Sequence, residues 1–265
     1  MKNIKIMKMK KLIYSLTVML ILSGGGVLLW QYSDVFGRQT PSDRQRIDRA
    51  HKERLVRDHY RDDIESARVQ GKKEVILPPG IAMPHPELPL EELLREYSLL
   101  KVKVVDKETT VGEPGADINT WYKLEIVETL HRQDKTQSKI QEKLGDTALL
   151  NEAPSRLLPL LPSESLLVVQ GGAITVDGMT VVRKVSSNQV IYIPKEEYLI
   201  IGNLEFGGKL ITPASGAAGV FQVKNNNLKS FGPEQHRLVR EIKDRYGDDL
   251  DYLRADVQSR LGREK

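Results

Sequence analysis

The sequence predicts a mainly β protein, a small antiparallel β-barrel or sandwich with a transmembrane helix and a charged helical stalk before it and helices after it. Three observations support this prediction. Short runs of alternating apolar and polar residues, separated by turn residues, fill residues 90–232. An uncharged, strongly apolar stretch occupies residues 12–30. Apolar residues recur at helical spacing after residue 233.

The apolar stretch at 12–30 has the length of a membrane span. Its 19 residues would cover about 28 Å as a helix, close to the ~30 Å hydrocarbon core of a bilayer. We interpret it as an uncleaved signal-anchor, with Trp30 in the interfacial aromatic belt. The alternative is a cleavable signal peptide that ends in the small residues 23–26. The anchor is favoured because the apolar stretch resumes at residues 27–30 and no Ala-x-Ala site occurs there.

The charges around this stretch predict its orientation. Residues 1–11 form a basic flank with five lysines, and the first acidic residue is Asp34. Arginines at positions 38, 44, 46 and 49 lie beyond the other end, but the lysines are closer to the apolar edge and have no acidic neighbours. We therefore expect a cytoplasmic N-terminus and an extracytoplasmic C-terminal domain, which would be secreted if the segment is cleaved.

Outside the basic flank the chain carries no excess positive charge. Removing the five lysines from the 40 basic residues leaves 35 against 36 acidic residues, a net charge of −1. A nucleic-acid-binding domain carries its excess charge on the fold, so we expect no nucleic-acid partner. The chain has no cysteine, which excludes disulfides, thiolate metal sites and a cysteine nucleophile.

Two segments are expected to connect the membrane helix to the β-domain. The first covers residues 31–77, of which residues 43–70 are dense in charges of both signs at helical spacing, such as Glu53 with Arg57. They predict a solvated helical stalk with too little apolar surface for a core, or a partner-binding or oligomerising helix. Residues 78–89 contain five prolines and predict an extended spacer. We place the domain boundary near Pro89.

The β-domain at 90–232 contains eight segments that predict strands. They are residues 100–105, 120–127, 166–170, 173–176, 179–182, 189–193, 198–202 and 219–223. The strongest hairpin signal is Asp177-Gly178, which lies between two of these segments. Residues 132–150 are polar and predict a surface excursion with a short helix.

Residues 233–265 predict two C-terminal helices. Pro233 suits the first turn of the first helix, Gly247 its end, and Asp248 the cap of the second. The apolar stripes consist of Leu238, Val239, Ile242 and Tyr246 in the first helix and Leu250, Leu253, Val257 and Leu261 in the second. We expect the second stripe to pack within the chain, with self-association as the alternative.

Four stretches within residues 98–224 follow a shared pattern. They are YKLEIVETL at 122–130, VVQGG at 168–172, KEEYLIIG at 195–202 and GVFQV at 219–223. In order and approximate spacing they resemble a widespread group of uncharacterised exported bacterial proteins. The resemblance implies a small β-barrel of OB or netrin-like type and supplies no catalytic residue. Lys195 and Gly202 depart from the pattern of the group, so the register of that strand is left open.

No sequence motif names a reaction. Nucleotide-binding loops and nucleophile elbows are absent, and the histidines at positions 51, 59, 85, 131 and 236 form no metal-binding pair. We therefore predict no catalytic residue, cofactor or metal. The candidate ligand or partner surface consists of Trp121, Tyr192 and Tyr198, with Trp121 expected on the solvent face beside Lys123. OB-type barrels can stack ligands on such aromatic groups, although packing in the core or rim is their commoner fate.

These observations together predict a non-enzymatic, membrane-anchored protein whose extracytoplasmic β-domain binds a protein or an envelope ligand. One alternative is an exported hydrolase or glycan-processing enzyme whose active-site residues are far apart in the sequence. The other is an oligomeric envelope scaffold that assembles through the stalk or the C-terminal helices.

Overall fold

The computed structural model describes residues 41–80, 87–112, 117–133 and 152–261. Within these ranges the protein is mainly β, as predicted, with two sheets and five α-helices. The described residues from Ala50 onward form one compact unit. The predicted membrane segment at 12–30 and most of the excursion at 132–150 lie outside the described residues. None of the described helices has the length and apolar character that a membrane span requires.

The helices and strands follow one another in a fixed chain order. They are α1 (Pro41–His59), α2 (Arg61–Val69), β1 (Glu74–Leu77), α3 (Leu90–Glu96), β2 (Ser98–Gly112), β3 (Asp117–His131), β4 (Glu164–Gln170), β5 (Gly172–Val176), β6 (Met179–Arg183), β7 (Glu197–Glu205), β8 (Leu210–Pro213), β9 (Val220–Lys224), β10 (Asn227–Ser230), α4 (Arg237–Tyr246) and α5 (Leu250–Leu261). Six of the eight predicted strand segments lie within these strands, and segment 219–223 overlaps β9 in all but its first residue. Segment 189–193 does not, and β1, β8 and β10 were not predicted.

The smaller sheet has three strands in the order β1-β6-β5. Strands β5 and β6 form the predicted hairpin, and Asp177 and Gly178 turn it with φ angles of 50° and 75°. Strand β1 pairs with β6 in parallel. The β-domain therefore includes residues upstream of the expected boundary near Pro89. This pairing joins residues about a hundred positions apart in the sequence, so no local sequence pattern predicts it.

Helices α1 and α2 pack against the three-stranded sheet. The buried apolar side chains are Val56 at the end of α1, Tyr60 between the two helices, and Ile64 and Ala67 of α2. The Arg57 guanidinium donates two hydrogen bonds to the Asp177 carboxylate at the hairpin turn, at 2.6 and 2.8 Å. The prediction of a solvated stalk is therefore wrong for residues 56–77. Four apolar residues at helical spacing are enough to dock two short helices when a sheet faces them.

The larger sheet has seven strands in the order β10-β9-β7-β2-β3-β4-β8, and β7 also pairs with β8. All pairings are antiparallel except that of β4 with β8, which is parallel and consists of a single residue pair, Leu166 with Leu210. The sheet curls back on itself but forms no closed barrel, because β4 and β8 separate beyond this pair.

Both faces of the seven-stranded sheet are covered by apolar residues. Leu100, Val102 and Val104 of β2 point into an inner core. Their neighbour Leu99 belongs to an outer core, where the sheet contacts α3, α4 and α5. Strand β7 is buried on both faces from Tyr198 to Gly202, which explains why its sequence is a continuous apolar run.

The C-terminal helices belong to this outer core, as expected. The buried residues of their stripes are Leu238, Val239, Ile242, Tyr246, Leu250, Leu253 and Val257. The Arg254 guanidinium holds α5 against β3 through two hydrogen bonds to the Glu128 carboxylate, at 2.9 and 3.0 Å. The described part of the second stripe is thus used within the chain.

The caps of these helices differ in part from the prediction. Helix α4 starts after His236, whose Nδ1 accepts from the Leu238 N–H at 3.3 Å, and not at Pro233. Gly247 ends it in the left-handed conformation, as predicted. The Asp249 carboxylate, and not that of Asp248, accepts from the backbone N–H groups of Asp251 and Tyr252 in the first turn of α5, at 2.7 and 3.3 Å.

Candidate functional site

The candidate site lies where β4 and β8 separate. The Leu166 N–H donates to the Lys209 carbonyl at 2.8 Å, and Leu166 pairs with Leu210. A parallel ladder would next require donors from residues 211 and 213 of β8. Residue 213 is a proline, which has no N–H. The two strands share only the Leu166–Leu210 pair, and residues 167–170 face 212–213 across a gap.

A cavity of about 250 Å³ fills this gap. One wall is residues 167–170 of β4, another is Thr212 and Pro213 with Gly216 and Val220, and the third is the segment 186–192. The cavity is continuous with the inner core, because four residues of that core also line the cavity: Leu167, Val169, Val190 and Tyr192. It lies in the gap between β4 and β8, and a cleft with apolar walls is a usual position for a ligand site.

The third wall of the cavity belongs to the segment 186–193, which we call the cavity roof. This segment is not a strand. The Ile193 N–H donates to the Tyr198 hydroxyl at 2.8 Å, and the Tyr192 backbone lies against the Tyr122 hydroxyl. The Ala217 N–H donates to the Asn188 carbonyl at 2.7 Å. The predicted strand at 189–193 is therefore wrong, although its alternation is real. The hydroxyls of Tyr198 and Tyr122 contact the backbone of this segment where a neighbouring strand would otherwise pair with it. Residues 190 and 192 still point inward.

The three tyrosines form one buried cluster behind the cavity. The ring centroids of Tyr192 lie 5.1 Å from Tyr122 and 4.9 Å from Tyr198, both in edge-to-face contact. Burial raises the pKa of the Tyr192 hydroxyl far above its usual value and raises the pKa of Tyr198 to about 12. Burial also raises the pKa of Tyr122, so it disfavours the phenolate form of all three tyrosines.

The sequence-predicted aromatic residues are all buried, which corrects the expected surface. Tyr192 lines the cavity with 1% of its surface exposed, and Tyr198 lies in the core behind it. Trp121 is on the same side of β3 as Lys123, as predicted, but its exposed fraction is 0%. Residues 153–160 fold back over it and form a small apolar cluster there. This cover is contributed by a distant segment, which the alternation in β3 does not reveal.

The polar groups of the cavity are amides and hydroxyls. Gln170, Gln189 and Thr212 lie at its edge, and no charged side chain is among its lining residues. The backbone of Gly80 packs closely against Gln170, since a Cβ on Gly80 would lie 2.0 Å from the Gln170 Oε1. Neither a nucleophile–base pair nor paired carboxylates line it. The arrangement can bind an uncharged group but offers no acid–base chemistry.

Sequence reasoning identified one residue of this site, Tyr192, and missed the rest. Thr212 and Gln170 carry no motif, and the only local signal is Pro213 after a short apolar run. Among the described residues, no cluster of three or more His, Asp or Glu side chains could hold a metal ion. The chain matches no protein-family model, and it matches no curated protein.

Proposed function

We propose that this chain is a non-enzymatic, membrane-anchored protein whose β-domain lies outside the cytoplasm and binds a protein or an envelope ligand. The observation that carries the binding function is the uncharged cavity between β4 and β8. It combines apolar walls with amide and hydroxyl groups at its edge, the composition of a binding pocket. The apolar stretch at 12–30 and its basic flank support the membrane anchor and the orientation.

The finer architecture belongs to the same proposal. We propose that the seven-stranded sheet contains a partly open Greek-key barrel of OB type, formed by β2, β3, β4, β8 and β7. Its support is the order of pairing, in which β8 lies between β4 and β7 and β7 returns to β2. The resemblance of residues 98–224 to exported OB or netrin-like proteins agrees with this assignment.

The proposed membrane location is tested by expressing the full chain with a C-terminal tag in a bacterial host. We expect it in the membrane fraction, with its C-terminal domain degraded when protease is added to spheroplasts. The intact mass of the extracted protein distinguishes an uncleaved anchor from a processed signal peptide. A chain that stays in the soluble cytoplasmic fraction, or a domain that protease reaches only after the membrane is broken, would overturn the proposed location.

The binding function is tested by filling the cavity. Thr212 is exposed at its edge, so Thr212→Trp places an indole in the opening without changing the core. Thr129→Trp makes the same substitution at an exposed position of β3, away from the cavity. We expect uncharged probes to raise the melting temperature of the wild type and of the Thr129 variant, but not of the Thr212 variant. A probe that stabilises all three proteins equally does not use the cavity.

A further inference from the structure

We propose that the cavity binds an extended, uncharged peptide segment, which pairs its backbone with the free edge of β4 and places one apolar side chain in the cavity. This inference rests on the proposed binding function and names the class of its partner.

The backbone of β4 presents a free edge to the cavity. Successive residues of a strand direct their N–H and C=O groups to alternate edges. Gly171, an odd-numbered residue, donates to Ile118 of β3 at 2.7 Å, whereas Leu166 donates towards β8. Val168 and Gln170 therefore face the same edge as Leu166, and no described strand pairs with them there. An unpaired strand edge is a template for another strand.

The cavity beside this edge has the size and polarity for one side chain. Its volume of about 250 Å³ is below the ~300–1,000 Å³ of sites for drug-sized ligands. Leu167, Val169 and Val220 give it apolar walls. A charged group would lose its hydration there without gaining a counter-charge, so the bound segment is uncharged. A peptide strand with alternating side chains satisfies the free backbone edge and the cavity together.

The aromatic wall favours a peptide over a sugar. Sugars are usually held against an open aromatic face, but the Tyr192 ring is packed by the edges of Tyr122 and Tyr198. Only 1% of the surface of Tyr192 is exposed. The cavity thus offers no stacking platform, whereas its strand edge offers backbone groups that a peptide matches.

The test selects peptides on the full chain in detergent micelles. A library of random heptapeptides is panned against the wild type, Thr212→Trp and the matched control Thr129→Trp. We expect the wild type and the control to enrich the same uncharged sequences with apolar residues at alternate positions. The affinity of the most enriched peptide, synthesised with capped ends, should fall by at least about tenfold in Thr212→Trp. No enrichment on the wild type, or equal affinity for all three proteins, overturns the inference.

A second measurement uses only the wild type and so does not depend on the folding of a variant. Single N-methyl groups are placed in turn along the selected peptide. Strand pairing predicts a loss of about fivefold in affinity at alternate residues, because only every second N–H reaches β4. Equal tolerance at every position would show that no strand forms.

A non-peptide arm separates this inference from the proposed function. N-acetylglucosamine and its oligomers are tested for thermal stabilisation of the same three proteins. If they stabilise the wild type and Thr129→Trp but not Thr212→Trp, while no peptide binds, the binding function stands and the peptide inference fails. If neither peptides nor sugars act through the cavity, both proposals fail.

Discussion

The hydroxyl of Tyr198 has a structural role that can be measured against that of Tyr192. Tyr198→Phe removes the acceptor of the Ile193 N–H, at 2.8 Å, and a weak contact to Glu196 at 3.4 Å. A buried donor that loses its partner costs ~1–3 kcal/mol. Ile193 is 50% exposed as a residue and its hydrogen bond to Tyr198 is only partly buried, so we expect a loss at the lower end of this range, about 1 kcal/mol.

Tyr192→Phe is the matched control. The Tyr192 hydroxyl makes no hydrogen bond within the described part of the chain, and its ring contacts to Tyr122 and Tyr198 do not involve the oxygen. A phenylalanine keeps these contacts. We expect a change in the free energy of unfolding within about 0.5 kcal/mol.

The assay is urea and thermal unfolding of the full chain in one detergent, followed by near-ultraviolet circular dichroism. A loss of 1 kcal/mol lowers the melting temperature of a domain of this size by about 2–4 °C. Equal stability of the two variants, or a larger loss for Tyr192→Phe, would refute the role given to the Tyr198 hydroxyl. The cavity roof would then be held by its apolar residues alone.

Three further predictions concern the packing of the fold. Val56 is fully buried, whereas Val69 is 89% exposed. In urea unfolding, Val56→Ala should therefore lower the free energy of unfolding by about 2 kcal/mol, and Val69→Ala should leave it almost unchanged. Equal effects of the two substitutions would support a solvated stalk. The hydrogen bonds from Arg254 hold the pKa of Glu128 below its usual value. The stabilisation from these hydrogen bonds is present above the usual glutamate pKa and is lost as the pH falls through the lowered pKa of Glu128. Both side chains are partly exposed, so Glu128→Gln should lower the free energy of unfolding by about 0.5 kcal/mol at pH 7, and by less as the pH falls below the usual glutamate pKa. A pH-independent difference would contradict this. Gly172 has a φ of 142°, and a Cβ there would lie 2.5 Å from a side-chain oxygen. In thermal unfolding, Gly172→Ala should therefore lower the free energy of unfolding by at least about 2 kcal/mol. A Gly172→Ala variant as stable as the wild type would exclude the clash.

Most of the β-domain could be predicted from local patterns. The Asp177-Gly178 turn, the alternation in β2 and β3 and the left-handed Gly247 each depend on a few adjacent residues, and the structure has them as expected. Strands β1, β8 and β10 are four residues long. Such short segments show too little periodicity to stand out, and each becomes a strand only because a distant strand pairs with it.

The candidate site shows where local patterns end. The alternation at 189–193 indicated inward and outward residues, which is correct, but not that tyrosine hydroxyls hold the segment. The alternation at Trp121 indicated its side of β3, but not that residues 153–160 cover it. In both cases a long-range contact decides whether a side chain reaches solvent.

The sequence by itself determined the mainly β class, the charge of the domain and the hairpin of β5 and β6, because composition and turn residues act locally. It also predicts the membrane anchor at 12–30, which stays a prediction. Only the tertiary structure decided that α1 and α2 pack on a sheet, that the predicted aromatic surface is buried, and that a cavity lies between β4 and β8. These features arise from residues far apart in the chain, whose contacts exist only once the strands have taken their places.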